Sequence, residues 1–181
     1  MTIIAWDGKT LAADSRCSDA HLMHLTNCRK IFKLKNGALL GTAGDSDDRM
    51  VRDILGKASP RKMPTREALA ATKTGFQAIM VFPKGHVFLI EIDWEDHANE
   101  GEWRASVDPI SDKFIAVGHG QQFAYGALEH GASAVDAVRV ACKRDLTCAL
   151  PVQSASFEVP PAPEIPPVPL AKPKKTKRVR K

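Results

Sequence analysis

Three turn signals between short apolar runs constrain the fold of this chain more strongly than any other feature of its sequence. Asp7-Gly8 separates TIIAW from KTLAAD, Asn36-Gly37 separates RKIFKLK from ALLGTAG, and a PKG turn separates QAIMVF from HVFLIEI. Asp-Gly and Asn-Gly pairs between apolar runs are the strongest local hairpin signals, because both turn positions need positive φ. The sequence therefore predicts three β-hairpins.

Apolar residues recur at helical spacing in four segments of the chain. Met50, Val51, Ile54 and Leu55 predict a helix after the acidic segment DSDD (45–48), whose charges suit the positive end of a helix dipole. TREALAAT predicts a second helix, and QQFAYGALEHG and SAVDAVRVACKR predict two more after the buried strand FIAVG. Because helices and strands do not alternate strictly, the order favours antiparallel sheets with helical layers over a parallel βαβ fold.

The basic charge of the chain is concentrated at its C-terminal end. The net charge is +5, but residues 160–181 hold seven of the 26 Lys and Arg and one of the 21 acids, which leaves 19 bases and 20 acids elsewhere. Residues 159–181 combine a proline-rich stretch with a basic run. Proline at this density removes backbone donors and favours an extended chain. We therefore predict one globular domain over 1–158 and a disordered tail over 159–181.

The basic run Lys172–Lys181 has two interpretations. It can contact nucleic acid, an acidic partner surface or a nuclear import receptor, or it can be a solubilising extension. Its lack of aromatic residues argues against stacking on single strands.

Composition narrows the class of protein. Hydrophobic residues make up 44% and charged residues 26% of the chain, which is typical of a globular protein. No apolar run approaches the roughly 20 residues of a transmembrane helix, and the first residues lack the features of a signal peptide. We expect a cytoplasmic protein without a membrane partner. Its four cysteines, which form no CxxC pair, are expected to be free thiols.

No metal or cofactor site is expected from the sequence. His21 and His24 lie three residues apart without a visible third ligand, which favours solvent-exposed residues over a metal site. The DSDD segment lacks the remaining ligands of a calcium loop. The triplet Gly118-His119-Gly120 is not a dinucleotide fingerprint, which needs a further glycine.

Thr2 is a candidate nucleophile because its small side chain suits removal of Met1 by methionine aminopeptidase. A free α-amine has a pKa of about 7.7–8.0, so it can act as a base near neutral pH. Pairing of a threonine hydroxyl with its own terminal amine is one established way to activate a nucleophile. Many cytoplasmic proteins also begin with Met-Thr, so this residue alone leaves an ordinary N-terminus as an alternative.

An ordered set of segments resembles proteasome β-subunits. The segments are TIIAWDGKTLAADSR, NCRKIFKL, LLGTAGD, IAVGHGQQFAYGALEHGASAVDAV and KRDLTC. The chain is also similar to the peptidase component of the bacterial ATP-dependent two-component protease and to small bacterial and phage homologues. The resemblance covers almost the whole predicted domain, and ADSR, RKIFKL and GQQFAYG are its most specific parts. It implies an α+β fold, a four-layer αββα sandwich in which helices cover two packed antiparallel sheets.

The resemblance also implies catalytic roles. It matches Thr2 to the N-terminal nucleophile, Lys30 to the catalytic lysine, and Asp14, 16 residues before it, to the supporting acid. It matches Gly44 to the oxyanion-hole glycine and Asp145 to the aspartate that helps hold the terminal amine. A donor at an oxyanion hole contributes roughly 3–4 kcal/mol in other acyl-transfer enzymes. Taken singly, the acid and the lysine also fit an ordinary ion pair, and the glycine fits a tight turn.

Two positions depart from the pattern of the family. His119 lies where the family has a serine between two glycines, and Cys148-Ala149-Leu150 replaces a serine or threonine followed by two glycines. A histidine ring can still accept a proton or a hydrogen bond, whereas a thiol is a poor substitute for a hydroxyl. His119 and Cys148 are therefore possible supporting residues, and the changes are compatible with slow or narrow activity or with loss of activity.

The resemblance implies a threonine endopeptidase that cleaves polypeptides inside a self-assembled homo-oligomeric ring. An ATP-dependent unfoldase would supply the substrate, since nothing in this chain binds ATP. The alternatives are a ring-forming structural subunit whose catalytic site has decayed, and a nucleic-acid-associated protein that acts through the basic tail. An N-terminal-nucleophile amidase for a small amide is a further alternative, against which the spacing of Asp14 and Lys30 argues.

Overall fold

The computed structural model describes residues 2–18, 24–25, 28–44, 49–97 and 100–157. The acidic segment 45–48, His21, the side chain of His24 and the tail 159–181 lie outside the described residues. The strands are β1 (Ile3–Trp6), β2 (Thr10–Ala13), β3 (Cys17–Ser18), β4 (His24–Leu25), β5 (Ile31–Lys33), β6 (Leu39–Gly44), β7 (Phe76–Val81), β8 (Val87–His97), β9 (Glu100–Ile110), β10 (Ile115–Gly118) and β11 (Gln153–Ser156). The helices are α1 (Arg49–Leu55), α2 (Arg66–Ala70), α3 (Gln121–Glu129) and α4 (Ala134–Arg144).

The three predicted hairpins are confirmed as the antiparallel pairs β1–β2, β5–β6 and β7–β8. The expectation of positive φ at both turn positions is wrong. Gly8 and Gly37 have φ of +90° and +82°, but Asp7 and Asn36 do not have positive φ. In the first turn the carboxylate of Asp7 instead accepts hydrogen bonds from the amides of Lys9 at 2.9 Å and Thr10 at 2.7 Å. The Asp-Gly pair therefore supplies one permissive glycine and one side chain that braces the turn.

The strands form two main antiparallel sheets. Strands β10-β1-β2-β11 make a four-stranded sheet and strands β5-β6-β7-β8-β9 make a five-stranded sheet, while β3 and β4 pair separately. The sequence reasoning did not predict β9 or β11. Trp103, Ala105 and Val107 pack at alternate positions of β9 against the core. A period-two pattern was therefore present in this sequence, although charged residues occupy positions between and beside these three.

The two main sheets pack face to face through alternate residues. Ile4, Trp6 and Leu11 point toward the five-stranded sheet, where they meet Ile79 and Val81. The intervening residues of β1 and β2 point the other way, where Ile3, Ala5 and Ala12 pack against α3 and α4. This alternation buries both faces of the four-stranded sheet and places one helical layer outside it.

The second helical layer covers the outer face of the five-stranded sheet. Val51 and Leu55 of α1 and Leu69 of α2 pack with Leu40 and Met80. Met50, which was predicted for the apolar face of α1, is instead 60% exposed. The predicted four-layer αββα sandwich is confirmed. None of the described helices is long and apolar enough to span a membrane.

Asn36 joins the second hairpin to the end of α1. Its side-chain amide donates to the carbonyls of Leu55 at 2.9 Å and Ala58 at 2.8 Å, and its side-chain oxygen accepts from the amide of Ala38 at 3.1 Å. We expect Asn36→Ala to lower the free energy of unfolding by roughly 2–3 kcal/mol, since each net hydrogen bond contributes about 1 kcal/mol. Urea denaturation checks this, with Lys35→Ala as an exposed neighbouring control; equal stability of the two variants would contradict it.

Candidate active site

Thr2 precedes β1 and is buried, with 7% of its surface exposed. Its carbonyl oxygen accepts a hydrogen bond from the amide of His119 at 2.8 Å. Gly118, immediately before that histidine, has φ of +100°, and a Cβ there would clash with the Thr2 carbonyl. The first glycine of the Gly-His-Gly triplet therefore lets the end of β10 approach Thr2 closely.

Asp14 and Lys30 form a buried ion pair behind the start of β1. The Lys30 Nζ donates to the Asp14 Oδ1 at 2.7 Å, and the two residues are 4% and 0% exposed. The Oδ1 also accepts from the amide of Ile3 at 3.0 Å. The Oδ2 accepts from the amides of Arg16 at 3.0 Å and Ala149 at 3.1 Å. These donors offset the desolvation of a buried carboxylate, and they connect the pair directly to the residue after Thr2.

Gln153, which the sequence reasoning did not single out, holds the backbone of Lys30. Its Oε1 accepts from the Lys30 amide at 3.0 Å across a separation of 123 residues. Its Nε2 donates to the Ser15 hydroxyl at 2.8 Å and to the carbonyl of Cys28. The Ser15 hydroxyl in turn donates to the carbonyl of Pro151 at 2.6 Å. The final strand thus fixes the segment that carries the lysine, and no local sequence signal predicts so distant a contact.

Gly44 ends β6 beside the same cleft that Thr2 lines. Its φ is +133°, and a Cβ there would clash with the carbonyl of Gly75, the residue immediately before β7. The position therefore requires glycine for both its backbone conformation and its close contact.

Asp145 ends α4 and contacts His119. Its Oδ2 lies 3.1 Å from the His119 Nδ1, and its Oδ1 accepts from the Thr147 amide at 2.8 Å and the Thr147 hydroxyl at 2.6 Å. Burial raises the pKa of the Asp145 carboxyl, but the hydrogen bonds from Thr147 and the contact with His119 outweigh it and lower that pKa below its ordinary value. Asp145 thus orients the ring of His119, and Thr147 is a partner that sequence reasoning missed.

The lowered pKa of Asp145 predicts a pH-dependent effect of Thr147→Val. A carboxyl whose pKa is depressed by folding stabilises the protein above its unfolded pKa, and this stabilisation is lost as the pH falls through the folded pKa. We therefore expect Thr147→Val to lower the free energy of unfolding by roughly 1–2 kcal/mol at pH 6 and by less at pH 3, which lies below the ordinary aspartate pKa of about 3.9. Urea denaturation at both pH values tests this. A difference that is independent of pH would contradict it.

Cys148 belongs to the apolar core beneath the four-stranded sheet. It is 3% exposed and packs in the same cluster as Ile3 and Ala141. Burial, followed by the nearby carboxylates of Asp14 and Asp145, raises the pKa of its thiol to about 11. The thiol is therefore protonated at neutral pH and unsuited to act as a nucleophile. Its Sγ lies 4.0 Å from the Thr147 hydroxyl, a weak contact.

A cleft of about 650 Å³ opens beside Thr2. Its lining comes from the N-terminal end of β1, the C-terminal end of β10 and the outer parts of β6 to β9. The residues are Thr2, Ala43, Gly44, Gly75, Phe76, Gln77, Glu91, Ile92, Asp93, Glu95, Arg104, Ala105, Ser106, Gly118 and His119. The structure therefore brings Thr2, Gly44 and His119 to one cleft. In the part of the chain that is described, no group of three or more His, Cys, Asp or Glu is placed to hold a metal ion.

Known proteins share both the sequence and the fold of this chain. Proteasome subunit beta 2 of Thermococcus onnurineus is 30% identical over 166 residues, which cover 80% of this chain and 81% of that protein. Proteasome subunit beta 2 of Pyrococcus abyssi is 28% identical over 167 residues, covering 80% and 78%. No protein-family model matches the chain.

Solved structures agree on the fold. Thiobacillus denitrificans BPH in complex with epoxomicin aligns with a TM-score of 0.60 and 17% identity over 88% of this chain and 99% of that one. Another structure of Thiobacillus denitrificans BPH aligns with a TM-score of 0.58 and 19% identity, covering 89% and 99%. The order of the sequence segments, the two-sheet sandwich and the likeness to the Thermococcus protein agree: this chain belongs to the proteasome β-subunit family.

Proposed function

We propose that this protein is a threonine-type endopeptidase in which Thr2, as the N-terminal residue after removal of Met1, is the nucleophile. The observation that carries this proposal is the buried Lys30–Asp14 pair, whose carboxylate also binds the amide of the residue next to Thr2. Burying an ion pair costs free energy unless its remaining hydrogen bonds are satisfied, whereas an ion pair at the surface carries no such cost. The burial of this pair therefore favours a functional role. Membership of the proteasome β-subunit family supports the same activity.

Each residue then has a chemical role. The Thr2 hydroxyl oxygen forms a bond to the substrate carbonyl carbon, and its proton passes through the terminal amine to the leaving nitrogen as the C–N bond breaks. The Lys30 ammonium favours the negative charge on the attacking oxygen. The Gly44 amide donates to the oxyanion of the tetrahedral intermediate. Water hydrolyses the resulting ester and restores Thr2. The His119 amide binds the Thr2 carbonyl and the His119 ring contacts Asp145, so these two residues hold the end of β10 against the Thr2 backbone.

Assembly and partners form the second part of the proposal. We expect a homo-oligomeric ring that degrades unfolded polypeptides in the cytoplasm, with an ATP-dependent unfoldase as partner. The support is the family relationship to proteins named as proteasome subunits. The basic run Lys172–Lys181 is proposed as a contact for nucleic acid or an acidic partner surface, and a truncation before it tests that separately.

Incubation of the purified protein with an unfolded polypeptide tests the proposal. We expect new peptide fragments by mass spectrometry and elution as an oligomer on size-exclusion chromatography. An oligomer without any cleavage would instead favour the alternative of a structural ring subunit. His119 and the core position of Cys148 motivate that alternative, because the resembling family has hydroxyl residues at both places.

A further inference from the structure

The cleft beside Thr2 has a wall of carboxylates on one face of β8. Glu91, Asp93 and Glu95 alternate along this strand, so their side chains share one face, and all three line the cleft. The alternate residues Ile90 and Ile92 pack into the core under α1 and α2, and Ile92 also borders the cleft. The carboxylates therefore lie on the side of the five-stranded sheet that faces away from those helices.

The sheet register gives the distance of this wall from the cleft residues near Thr2. Ala43 pairs with Gln77, and Gln77 pairs with Glu91, so these residues form one row across three strands. Neighbouring strands are about 4.8 Å apart, which places Glu91 roughly 10 Å from the residue before Gly44. A long side chain of a polypeptide seated next to Gly44 can extend along this row.

The negative charge of the wall is only partly neutralised. Arg104 is the one Lys or Arg residue among the described residues that line the cleft. It binds Glu95 at 2.8 Å and Glu102 at 2.7 Å. Glu91 accepts a hydrogen bond from the neutral amide of Gln77 at 2.6 Å, and Asp93 accepts from the amide of Trp94 at 2.8 Å. Among the described residues neither Glu91 nor Asp93 forms an ion pair, although Arg104 is the cross-strand neighbour of Asp93.

We propose that this cleft makes the peptidase selective for a lysine or arginine adjacent to the scissile bond, with Glu91 and Asp93 as the specificity-determining residues. This inference rests on the proposed function, since it assigns a substrate class to the same site. A basic side chain gains the attraction of two carboxylates that form no ion pair among the described residues, whereas an acidic one is repelled. An ion pair in a partly exposed cleft corresponds to a preference of roughly ten-fold or more over a neutral side chain of equal length.

Two fluorogenic peptides that differ only in lysine against norleucine at the cleavage position provide the test, with cleavage sites mapped by mass spectrometry. We expect kcat/KM for the lysine peptide to exceed that for the norleucine peptide at least ten-fold. The Glu91→Gln/Asp93→Asn variant should reduce this ratio to near one, chiefly by lowering kcat/KM for the lysine peptide. Glu129→Gln, an exposed position outside the cleft, is the matched control and should keep the ratio. Added salt should lower the ratio in the unmodified protein.

The outcomes separate this inference from the function on which it rests. Equal hydrolysis of both peptides, or a ratio that survives Glu91→Gln/Asp93→Asn, overturns the selectivity while leaving the peptidase in place. A ratio below one also overturns it. Failure to hydrolyse either peptide overturns both proposals.

Discussion

Thr2→Ala is expected to abolish peptide hydrolysis while leaving the fold intact. The substitution removes the hydroxyl that attacks the substrate carbonyl, and loss of the nucleophile in another acyl-transfer enzyme lowers kcat by roughly 10⁶-fold. The fold should persist because β1 begins at Ile3 and the contact from His119 is made to the backbone carbonyl of Thr2. Steady-state cleavage of a fluorogenic peptide measures the activity, and circular dichroism measures the fold.

Thr2→Ser is the matched control for this prediction. It keeps a hydroxyl at the same position and retains the terminal amine, so part of the activity should remain. If Thr2→Ala cleaves the peptide at the rate of the unmodified protein, another residue is the nucleophile and the proposed mechanism is wrong.

The second large effect is expected for Asp14→Ala. This change leaves the Lys30 ammonium buried without its carboxylate and also removes the acceptor of the amides of Ile3, Arg16 and Ala149. Removing one partner of a buried ion pair lowers stability by roughly 3–5 kcal/mol. Urea denaturation at a fixed protein concentration measures the free energy of unfolding, because assembly would also contribute to it.

Two further variants make this prediction specific. Lys30→Met should lower stability less than Asp14→Ala, since Asp14 keeps three backbone donors, but it should lower the activity strongly. Asp112→Ala, at an exposed position, should change stability by less than about 0.5 kcal/mol. If Asp14→Ala is as mild as Asp112→Ala, the buried pair does not have the structural importance that its contacts indicate.

Local signals predicted most of the fold. The Asp7-Gly8 and Asn36-Gly37 turns lie where two hairpins reverse, and the helical spacing of Val51 and Leu55 matches their burial in α1. Strand β9 was missed because its charged sequence does not indicate a strand, and it is stabilised by its pairing with β8. The exposure of Met50 was missed because periodicity gives the apolar side of a helix but not its width.

The candidate site was predictable only where a local pattern or the family resemblance marked a residue. Thr2, Asp14, Lys30, Gly44 and Asp145 were predicted as site residues in this way. The contacts of Gln153 and Thr147 were not, because they depend on how β11 and the end of α4 meet distant segments. The carboxylate wall of the cleft likewise depends on the register of β7 with β8, which sequence spacing does not specify.

One measurement tests the central claim most directly: the intact mass of the purified protein before and after reaction with a threonine-directed β-lactone or epoxyketone. We predict a mass that lacks Met1 and a single adduct that maps to Thr2, absent from Thr2→Ala. A protein that keeps Met1, or one with a free Thr2 that takes no adduct at neutral pH, would contradict the proposed nucleophile and favour a structural ring subunit.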